Sequence, residues 1–81
     1  MKQVELDARR LLCPLPVIKT QNRVAELSPG DIVNVICTDP GALSDIPAWA
    51  RIHGHQFVSA IEQDDEIIIT VRVGAEHHNG A

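Results

Sequence analysis

Polar and apolar residues alternate over residues 3–7, with Val4 and Leu6 on one side and Gln3, Glu5 and Asp7 on the other. That is the period of a strand with one face on a core. Beyond residue 13 the period lengthens. Val17, Thr20, Gln21, Val24 and Leu27 recur at helical spacing and predict a first helix over about residues 14–27. Ser28-Pro29-Gly30-Asp31 ends it, because neither proline nor glycine continues a helix there. Residues 32–38 are rich in β-branched side chains and predict a second strand. Val33, Val35 and Cys37 form its fully apolar face, whereas Ile32, Asn34 and Ile36 form a mixed one.

Thr38-Asp39-Pro40-Gly41 reads as a turn, followed by a second helix within residues 42–53. Pro47 would break a helix interior, so the regular part is expected to start near Ser44 or Asp45, with Asp45 as its N-cap. Ile46, Trp49, Ala50 and Ile52 or His53 supply its buried stripe, and Gly54 stops it. Residues 55–62 predict a third strand with Phe57, Ser59 and Ile61 on one face. Gln63-Asp64-Asp65 makes a polar hairpin turn, and residues 66–73 form the last strand. Ile67, Ile69, Val71 and Val73 give that strand one wholly apolar face, and Ile68 adds apolar surface to the other, the mark of an interior strand.

The order is β-α-β-α-β-β. A β-α-β start implies a parallel pair joined by a right-handed crossover. Two crossovers of one hand place both helices on one face of a four-stranded mixed sheet, an α/β fold. Residues 1–74 then make a single domain, and residues 75–81, which show no periodicity, are expected to be a mobile tail.

Eighty-one residues allow one domain with a small core. One Trp, one Phe and no Tyr leave no platform for stacking nucleobases, and a net charge of −4 provides no basic face, so direct nucleic-acid binding is not expected. No apolar run has the length of a membrane span and the first residues lack a signal-peptide core, so the expected location is the cytoplasm. Two cysteines, Cys13 and Cys37, fit neither a disulfide framework nor a zinc or Cys-x-x-Cys spacing. They read as two reduced thiols with different roles, Cys37 packing under the helices as a small apolar side chain.

The candidate chemistry sits at Cys13-Pro14-Leu15-Pro16, where the strand pattern gives way to the helical one. Proline suits the first turn of a helix, and two in three residues stiffen the turn that presents the sulfur. The positive end of the helix dipole favours a thiolate there. Each proline also removes a donor, leaving mainly the amides of Leu15 and Val17 to face an anion. A rigid site with a moderately lowered thiol pKa is therefore expected, against the alternative of a buried, inert cysteine. Arg9 and Arg10, in the loop before Cys13, either favour the anion or are simply solvated.

A hydrolytic cysteine needs a general base, yet all four histidines lie beyond residue 52. His53 and His55 flank the Gly54 turn and are expected to face solvent. His77 and His78 make a poor metal site on the tail, so no metal or other cofactor is expected. What remains is an exposed, activated thiol suited to carrying a group between partners.

Leu6-Asp7-Ala8, Leu11-Leu12-Cys13-Pro14-Leu15-Pro16-Val17, Thr38-Asp39-Pro40-Gly41-Ala42, Asp45-Ile46-Pro47-Ala48 and Gly54-His55 together resemble the signature of the TusA (SirA-like) sulfur-carrier family, over residues 4–73. The resemblance implies a two-layer α/β sandwich of β-α-β-α-β-β order with the last strand central. It further implies a sulfurtransferase that accepts sulfane sulfur as a persulfide on Cys13 from a cysteine desulfurase or rhodanese-type donor. The sulfur would then pass to a downstream relay protein or enzyme in tRNA thiolation, molybdenum-cofactor sulfur supply or sulfur oxidation. Pro14 and Pro16 would shape the turn, and Asp7 would help hold the preceding loop. One position departs from the family: Arg10 stands where a glycine is usual. If that position requires a positive φ, Arg10 is strained there or the loop takes another path, and its charge could favour the thiolate or an acidic partner. A reading of a different class is a non-catalytic interaction or redox-sensing module that docks through the helix face at Cys13.

Overall fold

The structure, a computed structural model, describes residues 1–74. Strand β1 (Gln3–Ala8) leads through a short loop into helix α1 (Leu15–Val24). Strand β2 (Ile32–Cys37), helix α2 (Ala42–Ile52) and strands β3 (Gln56–Gln63) and β4 (Glu66–Arg72) complete the order β-α-β-α-β-β. The sheet runs β1-β2-β4-β3, with β1 parallel to β2 and the other two pairings antiparallel. The last strand is interior and both helices cover one face, as expected. Residues 75–81, including His77 and His78 and the expected mobile tail, lie outside the described residues.

The core is the alternation realised. Leu6, Ala8, Val33, Val35, Cys37, Ile67, Ile69 and Val71 point into the layer under the helices, where Val24, Ile46, Trp49 and Ala50 meet them. Across the other face, Ile36, Ile68 and Ile61 pair in one row over β2, β4 and β3. Among the described residues no helix is long and apolar enough to cross a membrane.

Helix α1 ends at Val24, short of residue 27. The last turn tightens instead, with the amides of Glu26 and Leu27 donating to the carbonyls of Arg23 and Val24 three residues back. Helix α2 starts earlier than proline placement suggested, at Ala42, and carries Pro47 in its interior. The earlier start is built by Asp39, whose Oδ1 accepts from the Gly41 amide at 3.1 Å while its carbonyl accepts from Ala42 at 3.0 Å. Asp45 is thus not the N-cap. It lies in the first turn, with its carboxylate used elsewhere.

Two further expectations change. A register shift between Phe57 and Ser59 pairs Phe57 with inward-facing Val71, but Ser59 with Thr70 on the outer face. Directly opposed residues share a face, so Phe57 does not share one with Ser59 and Ile61. His55 is buried, not solvent-facing. Its Nδ1 accepts from the Gly74 amide at 3.0 Å and its ring lies 4.9 Å from that of Trp49. Gly74 is required for this closure, since a Cβ there would fall 1.7 Å from the Gly54 carbonyl oxygen.

Candidate functional site

The loop from β1 to α1 is tied down residue by residue. Asp7 Oδ1 accepts from the Arg9 amide at 3.0 Å, Thr38 Oγ1 accepts from the Arg10 amide at 2.8 Å, and Asp39 Oδ2 accepts from the Cys13 amide at 2.9 Å. The chain thereby crosses the ends of β1 and β2, with the amide of Arg9 satisfied from β1 and those of Arg10 and Cys13 from the turn after β2. Arg10 has φ 66°, the left-handed region where glycine is at ease and arginine is strained. The loop therefore keeps the path a glycine would allow, and Arg10 bears the strain.

Cys13 is exposed and Cys37 is buried. The Cys13-Pro14 peptide is cis. Pro14 takes the cap position, Leu15 opens α1, and Pro16 is buried beneath it, its carbonyl accepting from the Thr20 hydroxyl at 2.8 Å. The two prolines hold the sulfur outside the helix end. Leu12, directly before Cys13, and Leu15 and Ile18, in the first turn of α1, are exposed.

The electrostatics differ from the expected thiolate site. The Leu15 amide donates to the Leu12 carbonyl at 2.8 Å and so is turned away from the sulfur. The sulfur instead donates its proton to Asp45 Oδ2 at 2.8 Å. That hydrogen bond, partial desolvation, and the negative charges of Asp45 and then Asp39 raise the Cys13 pKa above the ordinary thiol value. The direction is thus opposite to the expected lowering, because the sulfur gives its proton to a carboxylate of α2. Neither Arg9 nor Arg10 is among the charges acting on the sulfur. Arg9 is engaged by Glu66 at 2.6 Å and Asp7 at 3.3 Å, and Lys19 donates to the Asp7 carbonyl. Burial pushes the Cys37 thiol up to about 11, so it is not a nucleophile at neutral pH.

Asp39 and Asp45 are the site residues that sequence reasoning did not assign to the sulfur. Thr38-Asp39-Pro40-Gly41 read only as a turn and Asp45 only as a cap. The available signal was that both stand where β2 delivers the chain to the same sheet end as Cys13.

The site is thus an exposed thiol on a proline-stiffened turn, at the strand ends of a two-layer α/β sandwich. A family model described as "Sulfurtransferase TusA" matches residues 4–73, and the chain belongs to that family. The sulfur carrier protein TusA of Pseudomonas aeruginosa (strain LESB58) is 38% identical over 71 residues, 88% of this chain and 90% of that protein. YrkF of Bacillus subtilis (strain 168) is 34% identical over 74 residues, 91% of this chain, which spans only 40% of YrkF. The crystal structure of a SirA-like protein from Desulfitobacterium hafniense superposes with a TM-score of 0.79 at 29% identity, covering 88% of this chain and 97% of the other.

Proposed function

We propose that this chain is a sulfur carrier that holds sulfane sulfur as a persulfide on Cys13. It takes the sulfur from a cysteine desulfurase or a rhodanese-type donor and yields it to a downstream relay protein or enzyme. The observation that carries the reading is the division of labour between two thiols on a fold of the TusA family. Cys13 is exposed on the Cys-Pro-x-Pro turn, and Cys37 is sealed in the core. Pro14 and Pro16 fix the sulfur's position, Asp7 holds the loop before it through the Arg9 amide, and the strained Arg10 occupies the bend. Leu12, Leu15 and Ile18 offer exposed apolar surface on which a protein partner would exclude water from the exchange. The reading implies a reducing compartment, the cytoplasm, in which both thiols stay free.

Each transfer is a displacement at sulfur. The Cys13 thiolate attacks the terminal sulfur of a donor persulfide and a new S–S bond forms. The donor S–S bond breaks, and its electron pair leaves on the donor cysteine as thiolate. Delivery runs the same step with Cys13 as the leaving group, so no external oxidant is needed.

Intact-mass measurement after incubation with a desulfurase and cysteine, or with thiosulfate and a rhodanese, tests the reading. A gain of one sulfur atom, reversed by reductant, is expected in the parent and in Cys37→Ser, and not in Cys13→Ser. No gain with any donor while Cys13 still alkylates would leave a docking or redox-sensing module as the better account.

A further inference from the structure

One contact at the site is not required for carrying sulfur. A carrier thiol works faster when ionised, yet Asp45 Oδ2 accepts the Cys13 proton at 2.8 Å and holds it on the sulfur. The nearby carboxylates are not equivalent. Asp39 is committed to backbone, with one oxygen on the Cys13 amide and the other on the Gly41 amide. The Asp45 carboxylate meets the sulfur itself. Among the described residues no lysine or arginine pairs with the Asp45 carboxylate. Arg9 bridges Asp7 and Glu66, Lys19 reaches the Asp7 carbonyl, and the charges acting on the sulfur are Asp45 from α2 and Asp39 from the turn before it, both negative.

We propose that Asp45 is a specificity-determining residue that makes Cys13 select sulfur partners carrying a cationic group. An ammonium or guanidinium brought against the Asp45 carboxylate by the reacting molecule neutralises it and frees the sulfur to attack. A neutral or anionic sulfur compound meets a thiol still held by its hydrogen bond. In a protein partner, the cation would be a lysine or arginine beside the donor cysteine. This deepens the carrier reading and rests on Cys13 being the sulfur-accepting thiol. The proton of Cys13 passes to solvent, its sulfur forms the new S–S bond, and the partner's S–S bond breaks with its electron pair on the departing thiolate.

The test uses small disulfides of defined charge. Cystamine carries two ammonium groups, and 2-hydroxyethyl disulfide is neutral. The rate of mixed-disulfide formation on Cys13 is followed by intact mass at one pH and low salt, in the parent and in Asp45→Asn. Taking the ratio of the two rates and comparing it between proteins cancels the intrinsic reactivity of each probe. The cystamine preference of the parent is expected to exceed that of Asp45→Asn by about two- to five-fold, the size of one surface charge pair. High salt is expected to reduce the parent's preference towards that of the variant. Equal ratios in parent and variant overturn the proposal. Should Asp45→Asn not fold, Asp45→Ser replaces it, and a parent preference indifferent to salt overturns the proposal without any variant. The carrier reading fails separately. A chain that gains no sulfur from any donor yet keeps its charge preference sinks the carrier, whereas normal sulfur loading with no charge preference sinks only the role of Asp45.

Discussion

Asp45 Oδ2 lies 2.8 Å from the Sγ of Cys13, across 32 positions of sequence, and the sulfur is the donor. A hydrogen bond in that direction stabilises the thiol over the thiolate, so it slows the free protein's nucleophile. The pH dependence of Cys13 alkylation by iodoacetamide reads this directly. The midpoint is expected above the ordinary free-thiol value of about 8.5. Asp45→Asn should bring it down by removing the charge, and Asp39→Asn should do so to a smaller extent. High salt should also lower it, by screening two negative charges. A midpoint at or below that of free cysteine in the parent would show that the helix terminus governs the sulfur after all.

Arg10 is the strained residue of the loop, at φ 66°. Arg10→Gly removes the strain, and thermal or urea unfolding should show a gain of about 1 kcal/mol, less the extra flexibility glycine gives the unfolded chain. Because its charge is not among those acting on the sulfur, the alkylation midpoint should not move. A midpoint that rises would assign Arg10 an electrostatic role.

Cys37 makes stability depend on alkaline pH. Burial raises its thiol to about 11 in the folded chain, against about 8.5 when unfolded. The folded state therefore keeps a proton that the unfolded state gives up. Stability is full below about pH 8.5 and falls as pH rises towards about 11, with a slope approaching 1.4 kcal/mol per unit, about one proton's worth. Denaturant midpoints measured from pH 7 to 10.5 test this. Cys37→Ala should flatten the decline, and an unchanged slope would place the effect elsewhere.

Asp31 acts in the opposite direction. Its two side-chain oxygens accept the amides of Ser28 at 2.8 Å and Lys2 at 2.9 Å, which holds its carboxyl below the ordinary carboxylate value. Its contribution is present above the unfolded value of about 3.9 and is lost as pH falls through the lower folded value. Asn can accept only one of these bonds and turns an N–H towards the other donor. Asp31→Asn should thus be less stable than the parent at pH 7. The gap should close in acid, as seen by circular dichroism during acid titration. A gap that persists at pH 2 would mean the loss is steric.

The sheet, its inner face and the cysteine turn were legible in the chain itself, because their causes are local and periodic. Val33, Val35 and Cys37, then Ile67, Ile69, Val71 and Val73, can turn to one side only if strands carry them, and all seven are buried. Cys-Pro-x-Pro states its own rigidity through two fixed φ angles. Other features depended on what folding brought alongside. Phe57 changed faces because a bulge, which leaves no periodic trace, intervened before Ser59. His55 went inside because Trp49 and the Gly74 amide were there to receive it. The ionisation of Cys13 was decided in the same way. Its amide meets Asp39 across 26 positions and its sulfur meets Asp45 across 32, and a local reading of the helix start contains neither carboxylate. Electrostatic influence on a thiol falls with distance in space and not along the chain. The sequence by itself determined the scaffold and the turn that presents the Cys13 thiol, and only the tertiary structure decided how tightly that thiol keeps its proton.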